Sequence, residues 1–184
     1  MHAEIIIAGF GGQGALFAGQ VLAYAAMDAG QHVTWIPSYG PEMRGGTAHC
    51  TVIISDDPIG SPLVERPSAV IAMNQPSIDR YAPSLAAGGL LVYSDLPDIT
   101  PPAVPGIRMV AVPATALAEQ VGNPQAANLV LLGVLVATAQ ILPLEALAAA
   151  LTRHLPERHQ AALHGDLEAL RLGADFVTAP PSRR

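Results

Sequence analysis

The chain has 184 residues, of which 51% are hydrophobic and 13% are charged, and its formal net charge is −6. All nine basic residues are arginine, and so few positive charges exclude a protein that follows the phosphate backbone of a nucleic acid, which needs a basic face. The single cysteine, Cys50, excludes an internal disulfide and any iron–sulfur or zinc site built from several cysteines.

The first predicted elements are a strand at residues 4–8 and a helix at residues 15–29, separated by a glycine-rich turn. The strand is a compact apolar run of the kind found in buried parallel strands. We expect Gly30 to be the C-cap of the helix. We also expect the helix to pack on the sheet through the face formed by Leu16, Gly19, Ala23 and Met27, where the small Gly19 and Ala23 would allow a close approach.

A second strand at residues 32–36 and a third at residues 48–55 flank a segment rich in proline and glycine. Within the third strand, His49 and Cys50 are interpreted as a buried polar residue and a small core thiol. A catalytic role is disfavoured because no aspartate or asparagine lies nearby in the sequence to orient the histidine.

The remainder alternates shorter strands with helices and then becomes helical. Strands are predicted at residues 68–73, 90–93 and 107–112, and helices at residues 75–85, 115–121, 125–140, 144–151 and 157–172. This order predicts an α/β fold with a Rossmann-like, doubly wound, mostly parallel sheet and a helical C-terminal third. A single domain is expected over residues 1–178, followed by a disordered tail at residues 179–184.

The glycine-rich turn at residues 9–14 has the spacing Gly-x-Gly-x-x-Gly between a strand and a helix, which is the context of a phosphate-binding turn. Gly9 would permit the tight turn, Gly11 the close approach of a pyrophosphate, and Gly14 close packing of the helix on the strand. N–H groups at the helix start would face the anion. In the alternative interpretation, the glycines only allow a tight turn.

A dinucleotide dehydrogenase also needs an acidic residue at the end of its second strand to bind the ribose hydroxyls. Here residues 36–39 read Ile-Pro-Ser-Tyr, and the nearest acid, Glu42, lies beyond a proline. A stand-alone NAD(P)-binding oxidoreductase is therefore only an alternative. The turn also lacks the Gly-Lys-Ser/Thr of a P-loop, which disfavours ATP hydrolysis.

The second segment, residues 37–46, combines prolines that fix its path with glycines that allow close backbone approach. Arg44 could bind a carboxylate or phosphate, although a surface pair between Glu42 and Arg44 is the alternative. Since both segments follow strands, we expect both at the carboxyl edge of one sheet, where open α/β proteins bind ligands. No nucleophile elbow, paired carboxylates or metal-ligand cluster is present, so no catalytic or metal-binding residue is predicted.

The chain shows neither a signal peptide nor an apolar stretch long enough to span a bilayer, because two polar residues interrupt residues 126–142. A soluble, cytoplasmic protein that binds neither membrane nor nucleic acid is predicted. The low content of charged residues further predicts that partners cover part of its surface.

Together, residues 8–14 (AGFGGQG) and 38–46 (SYGPEMRGG) closely resemble the gamma subunit of 2-oxoacid:ferredoxin oxidoreductases. The resemblance extends over residues 4–175 and includes residues 87–91, 112–115 and 128–133. Family members convert a 2-oxoacid and coenzyme A to an acyl-CoA, CO2 and reduced ferredoxin, using thiamine diphosphate and iron–sulfur clusters. The resemblance does not distinguish pyruvate, 2-oxoglutarate, branched-chain and indolepyruvate enzymes.

The resemblance implies that alpha and beta subunits carry thiamine diphosphate and that a ferredoxin-like delta subunit is a further partner, so this chain alone binds no cofactor and is inactive. It would help to bind coenzyme A and close the active site, and we expect it to form a homodimer when isolated. A purely structural scaffold is a further alternative. The residues assigned to coenzyme binding are Gly9, Gly11, Gly12, Gln13, Gly14, Ser38, Tyr39, Glu42, Arg44 and Gly45.

Overall fold

The computed structural model describes residues 1–40, 46–155 and 157–178, without the side chains of residues 157–159. Six strands form one sheet: β1 His2–Phe10, β2 His32–Tyr39, β3 Thr47–Ser55, β4 Ala69–Ala72, β5 Leu90–Ser94 and β6 Arg108–Val112. The α-helices are α1 Ala15–Asp28, α2 Gln75–Tyr81, α3 Ala114–Gln120, α4 Ala127–Ala139, α5 Leu144–His154 and α6 Leu163–Thr178. Short 3-10 helices cover Ala82–Ser84, Pro124–Ala126 and Glu157–Ala162.

The strand order is β2-β3-β1-β4-β5-β6. Strands β1, β4, β5 and β6 are parallel, whereas β3 is antiparallel to both of its neighbours, β1 and β2. Strand β3 is antiparallel to β2 because the connection between them is short, whereas a parallel pair needs a crossover of a dozen or more residues. As a result, β2 runs in the same direction as β1, and the two strands end at the same edge of the sheet.

Helices cover both faces of the sheet, and the two faces of β1 belong to different cores. Ile5 and Ile7 lie in the larger core with α1, α3, α4, α5 and α6, whereas Ile6 and Ala8 lie in the smaller core with α2. Helix α4 is buried all round from Asn128 to Val136. The predicted α/β fold, with a mostly parallel sheet and a helical C-terminal third, is confirmed.

The packing face predicted for α1 was partly wrong. Gly19 does face the sheet, but Leu16 and Ala23 are only partly buried and Met27 is 51% exposed. The buried face is instead made mainly of alanine, which brings the helix close to the strands: Ala15, Ala18, Gly19, Val21, Leu22, Ala25 and Ala26. The C-cap is Ala29, and Gly30 follows it with φ +80°, donating its N–H to the Met27 carbonyl.

Several predicted boundaries also differ from the structure. The helix predicted at residues 75–85 changes to a 3-10 helix after Tyr81, and the helices predicted at residues 125–140 and 157–172 each begin with a 3-10 segment. Strand β2 continues past Ile36 through Pro37, which an edge strand tolerates because only one of its sides must pair.

The tail predicted at residues 179–184 lies outside the described residues. No helix in the described ranges reaches the length and apolarity that a membrane crossing requires.

Candidate functional site

The two glycine-rich segments lie side by side at the carboxyl edge of the sheet. The backbone N–H of Gly11 donates to the Gly46 carbonyl at 2.9 Å, and Phe10 is directly opposite Thr47 in the β1–β3 ladder. The turn after β1 therefore contacts the end of the β2–β3 connection, as the order of strands and turns predicted.

The conformation of the first turn depends on two of its glycines. Gly12 has φ +99° and Gly14 has φ +79°, values that residues with a side chain rarely adopt. A Cβ on Gly14 would lie 2.4 Å from Asn128 Nδ2, so Gly14 allows close packing against α4 rather than against a strand. Gly9 does not make the turn: it belongs to β1, and its Cβ would lie 3.1 Å from Met73 Cβ.

The Gln13 side chain bridges the turn after β1 and the end of β4. Its Oε1 accepts hydrogen bonds from the Phe10 N–H at 2.7 Å and from Asn74 Nδ2 at 3.2 Å, and its Nε2 donates to the Met73 carbonyl at 3.3 Å. The chain leaves β1 toward one side of the sheet and β4 toward the other, so this gap is the topological switch point at which such folds bind ligands. Here the Gln13 amide occupies it.

Two buried asparagines support the same turn, and the site residues chosen from the sequence included neither. Asn74 caps α2 by accepting from the Ser77 N–H at 2.9 Å, and Asn128 Nδ2 donates to the Gly14 carbonyl at 3.0 Å. An asparagine before a Gln-Pro helix start is a recognisable N-cap signal for Asn74. For Asn128 the signal is a single amide within an otherwise apolar helix.

Two clefts open beside Gly12, with volumes of about 220 Å³ and about 350 Å³. Both are bordered by Gly12, Gln125 and Asn128. The smaller cleft extends over the ends of β4 and β5 toward the start of α3. The larger cleft extends toward the start of α1 and toward Asp166 of α6, whose Oδ1 accepts from Asn123 Nδ2 at 2.8 Å.

Most of the described side chains that line these clefts are uncharged. No arginine or histidine of the described residues lines either of them, and Asp166 adds a carboxylate to the larger one. No side chain caps the start of α1, so the positive end of that helix faces the turn. In the described part of the chain, no group of three or more histidines, cysteines or acids is placed to hold a metal ion.

The residues assigned from the second segment are only partly described. Ser38 is opposite His49 in the β2–β3 ladder and Tyr39 is opposite Ala48, with Tyr39 72% exposed. Glu42, Arg44 and Gly45 lie outside the described residues. The structure thus brings residues 9–14 together with Gly46 and places Ser38 and Tyr39 on the neighbouring edge strand.

The predicted core thiol and polar histidine lie on opposite faces of β3. Cys50 is fully buried, its Sγ lies 3.5 Å from the Ala15 carbonyl oxygen, and burial raises the pKa of the thiol to about 12. His49 is half-buried, with its ring centroid 5.4 Å from that of Tyr81. The Arg80 guanidinium lies 5.2 Å from the same Tyr81 ring centroid. Burial and then Arg80 lower the pKa of His49.

This lowered pKa predicts a pH dependence of stability. The imidazole binds a proton less readily in the folded chain than in the unfolded chain, where the pKa of the imidazole is about 6.5. The contribution of His49 to the stability of the folded state is therefore present above that pH and is lost as the pH falls below it. Urea denaturation at about pH 7.5 and about pH 5.5 should show a smaller loss of stability in His49→Gln than in the wild type. The exposed His32→Gln variant is the control, and equal pH dependence in all three proteins would contradict the prediction.

Known proteins match this chain over nearly its whole length. The family model described as pyruvate ferredoxin/flavodoxin oxidoreductase matches residues 4–176. Ketoisovalerate oxidoreductase subunit VorA of Methanothermobacter thermautotrophicus is 47% identical over 73% of this chain, but the match spans only 28% of that relative's length.

Two solved structures share the fold. The gamma subunit of a keto/oxoacid ferredoxin oxidoreductase from Geobacter sulfurreducens has a TM-score of 0.84 and 32% identity, covering 97% of this chain and 98% of its own. A 2-oxoglutarate:ferredoxin oxidoreductase from Magnetococcus marinus, solved with 2-oxoglutarate, coenzyme A and succinyl-CoA bound, has a TM-score of 0.86. That match covers 99% of this chain and 32% of the larger one at 23% identity, so it supports the fold alone.

Proposed function

Because the chain belongs to the pyruvate ferredoxin/flavodoxin oxidoreductase family, we propose that it is the gamma subunit of a 2-oxoacid:ferredoxin oxidoreductase and helps to bind coenzyme A. The complex would convert a 2-oxoacid, coenzyme A and oxidised ferredoxin to acyl-CoA, CO2 and reduced ferredoxin. The observation that carries the coenzyme role is the contact between the two glycine-rich segments, next to an uncapped helix start and two clefts.

The redox chemistry belongs to other subunits in this proposal. An iron–sulfur cluster is normally held by four cysteine thiolates, and this chain has one cysteine, whose thiol is buried and has a raised pKa. Thiamine diphosphate would lie on the alpha and beta subunits, with a ferredoxin-like delta subunit as a further partner. This chain would then supply a binding surface for the coenzyme.

Exposed apolar residues near the same edge support contact with those partners. Phe10 ends β1 and Tyr39 ends the edge strand β2, and both are exposed. Large exposed apolar side chains near a ligand cleft are typical of a surface that another subunit covers. We propose that this edge faces the partner that holds thiamine diphosphate.

The coenzyme phosphates need positive charge, and the described side chains lining the two clefts do not supply it. We propose that backbone N–H groups of the first turn and the positive end of α1 hold the pyrophosphate. Arg44, in the segment that follows β2, would supply the compensating cation. A cation from a partner subunit would serve the same purpose.

Gly11→Val tests this role without forcing the backbone. Gly11 is exposed and has no positive φ, so valine does not require a left-handed backbone there, and the residue lies where its N–H meets the Gly46 carbonyl of the second segment. In the purified complex we expect KM for coenzyme A to rise about tenfold, which corresponds to about 1.4 kcal/mol of binding, with kcat within about twofold.

Gly60→Val is the matched control, because Gly60 is also exposed, lacks a positive φ and has open space around its Cβ position. Its KM should equal that of the wild type. If Gly11→Val leaves KM unchanged while the complex stays assembled, the glycine-rich turn has no coenzyme role and the scaffold alternative stands.

A further inference from the structure

We propose that the cleft between α5 and α6 is a contact surface for a second copy of this chain, with the two α5 helices packed antiparallel across a two-fold axis. This interface goes beyond the proposed function and does not depend on it. The cleft has a volume of about 490 Å³, and residues of α5 and α6 line it.

The floor of the cleft is apolar and its middle is made of small residues. Leu144 of α5 and Leu167 of α6 are half-buried, and Ala148 and Ala149 lie between the charged residues of α5. Small side chains in the middle of α5 allow the backbone of another helix to come close, because the distance between packed helices depends on the side chains at the contact. An open apolar cleft is typical of a surface that another polypeptide covers.

The charges of this cleft are ordered along one stripe of α5. Glu145, Ala149 and Arg153 all line the cleft at intervals of four residues, so they lie on the same side of the helix. The two charged residues are eight positions apart, or about 12 Å along the helix axis. A second α5 that runs antiparallel, with Ala149 opposite Ala149 of the other copy, would bring each Glu145 next to the other copy's Arg153.

This order of charges favours one arrangement of two identical helices. In a parallel pair, Glu145 would lie beside Glu145 and Arg153 beside Arg153, and like charges at such positions repel each other. An antiparallel pair shifted by one helical turn would lose both ion pairs. A stripe that is acidic at one end and basic at the other is complementary to itself under two-fold symmetry, which argues for a second copy as the occupant.

Both charged groups have capacity for these contacts. Glu145 forms no ion pair with another residue in the described part of the chain. The Arg153 side chain is 65% exposed, and its Nη1 donates to Asp28 Oδ2 at 2.8 Å, which leaves other guanidinium N–H groups for a second carboxylate. His154 Nε2 lies 3.0 Å from the same Asp28 oxygen, so the end of α5 is fixed on α1.

The proposed contact leaves the glycine-rich turn accessible. Helix α1 begins at that turn and ends at the amino edge of the sheet, where Asp28 meets the end of α5. Ile141, just before α5, borders a cleft with Ala69 and Leu90 at the starts of β4 and β5. Both ends of α5 therefore lie near the amino edge, away from the edge assigned to the coenzyme.

Sedimentation equilibrium on the isolated full chain tests this contact. We expect a dimer with a dissociation constant of about 1–100 µM. Glu145→Arg would place arginine opposite arginine twice in each dimer, so it should raise the dissociation constant about tenfold, and less at high salt. Exchanging the two charges, in Glu145→Arg/Arg153→Glu, should return the dissociation constant to within about threefold of the wild type.

Ala149→Cys gives a second measurement that does not depend on charge. The two-fold axis places residue 149 beside itself, at a distance that a disulfide can bridge. The native Cys50 is buried, so oxidation should link two copies through the new thiols. Ala116→Cys, at an exposed position of α3 outside the cleft, is the control and should cross-link at least about tenfold more slowly.

Glu119→Arg is the matched control for charge, because it makes the same change at an exposed glutamate of α3. It should leave the dissociation constant within about twofold of the wild type. A chain that stays monomeric at about 100 µM, or a dimer that Glu145→Arg does not weaken, would overturn the proposal. If the chain is monomeric and Glu145→Arg instead weakens its assembly with other subunits, one of those subunits covers the cleft and the proposal is wrong.

Discussion

Gly173→Ala is expected to lower the free energy of unfolding by about 3 kcal/mol, at the upper end of the usual cost of overpacking. A Cβ at this position in α6 would lie 2.0 Å from the Val130 carbonyl oxygen of α4. The contact is reciprocal, since a Cβ on Gly133 of α4 would lie 2.1 Å from the Leu170 carbonyl oxygen. The obstacles are backbone atoms, so the two helices would have to separate.

The sign of this effect is informative, because alanine is favoured over glycine by about 1 kcal/mol inside an unobstructed helix. A urea denaturation curve distinguishes the two outcomes. Gly60→Ala, at an exposed glycine with open space around it, is the control and should change stability little. A Gly173→Ala chain as stable as the wild type would show that α4 and α6 are not in backbone contact.

Gly19→Ala is expected to destabilise the chain by about 2 kcal/mol, and Cys50→Ala should restore much of that loss. A Cβ on Gly19 would lie 2.2 Å from Cys50 Sγ, whereas the next nearest atom, Trp35 Nε1, is 3.2 Å away. The obstacle is therefore one side-chain atom. Removing that sulfur gives the new methyl group a place between α1 and β3.

A double-mutant cycle measured by denaturation would quantify the rescue. Cys50→Ala alone should cost about 1 kcal/mol for the small cavity, and we expect a coupling energy of at least about 1 kcal/mol between the two positions. Strictly additive effects would mean that Gly19 and Cys50 do not share this space. No such rescue is available at Gly173, because a carbonyl oxygen cannot be removed by substitution.

The shared sheet edge could be predicted because it follows from local order. Each glycine-rich segment follows a strand, and the first also precedes a helix, so turn and strand signals a few residues apart were sufficient. The antiparallel direction of β3 could also have been predicted, since the connection at residues 40–46 is too short for the crossover that a parallel strand needs.

The contacts that define the site depend on distant residues. Gln13 meets Asn74, which is 61 residues away, and Asn128 meets Gly14, which is 114 residues away. Ser94 is the polar end of a short apolar strand in the sequence, and only the arrangement of β4, β5 and α4 gives its hydroxyl a cleft. The periodicity of hydrophobic residues along the sequence does not predict which distant residues come into contact.

The predicted face of α1 was partly wrong for a different reason. Large apolar residues at helical spacing suggested the stripe that includes Leu16 and Met27, yet the helix packs mainly through alanines and Gly19. Small residues carry a weak hydrophobic signal, but they permit the short helix-to-sheet distance that the Gly19 contact with Cys50 requires. A close approach therefore reversed the usual preference for burying the largest side chains.

Pro37 in the outermost strand has a consequence for self-association. Pairing of β2 with β3 continues through Pro37, so the missing N–H falls on the strand's free side. A second copy that aligned its own β2 there would meet a gap in the row of backbone donors, which protects against edge-to-edge aggregation. A homodimer of the isolated subunit that meets at β2 should therefore be joined through side chains, and its two sheets should not merge at that edge into one continuous twelve-stranded layer.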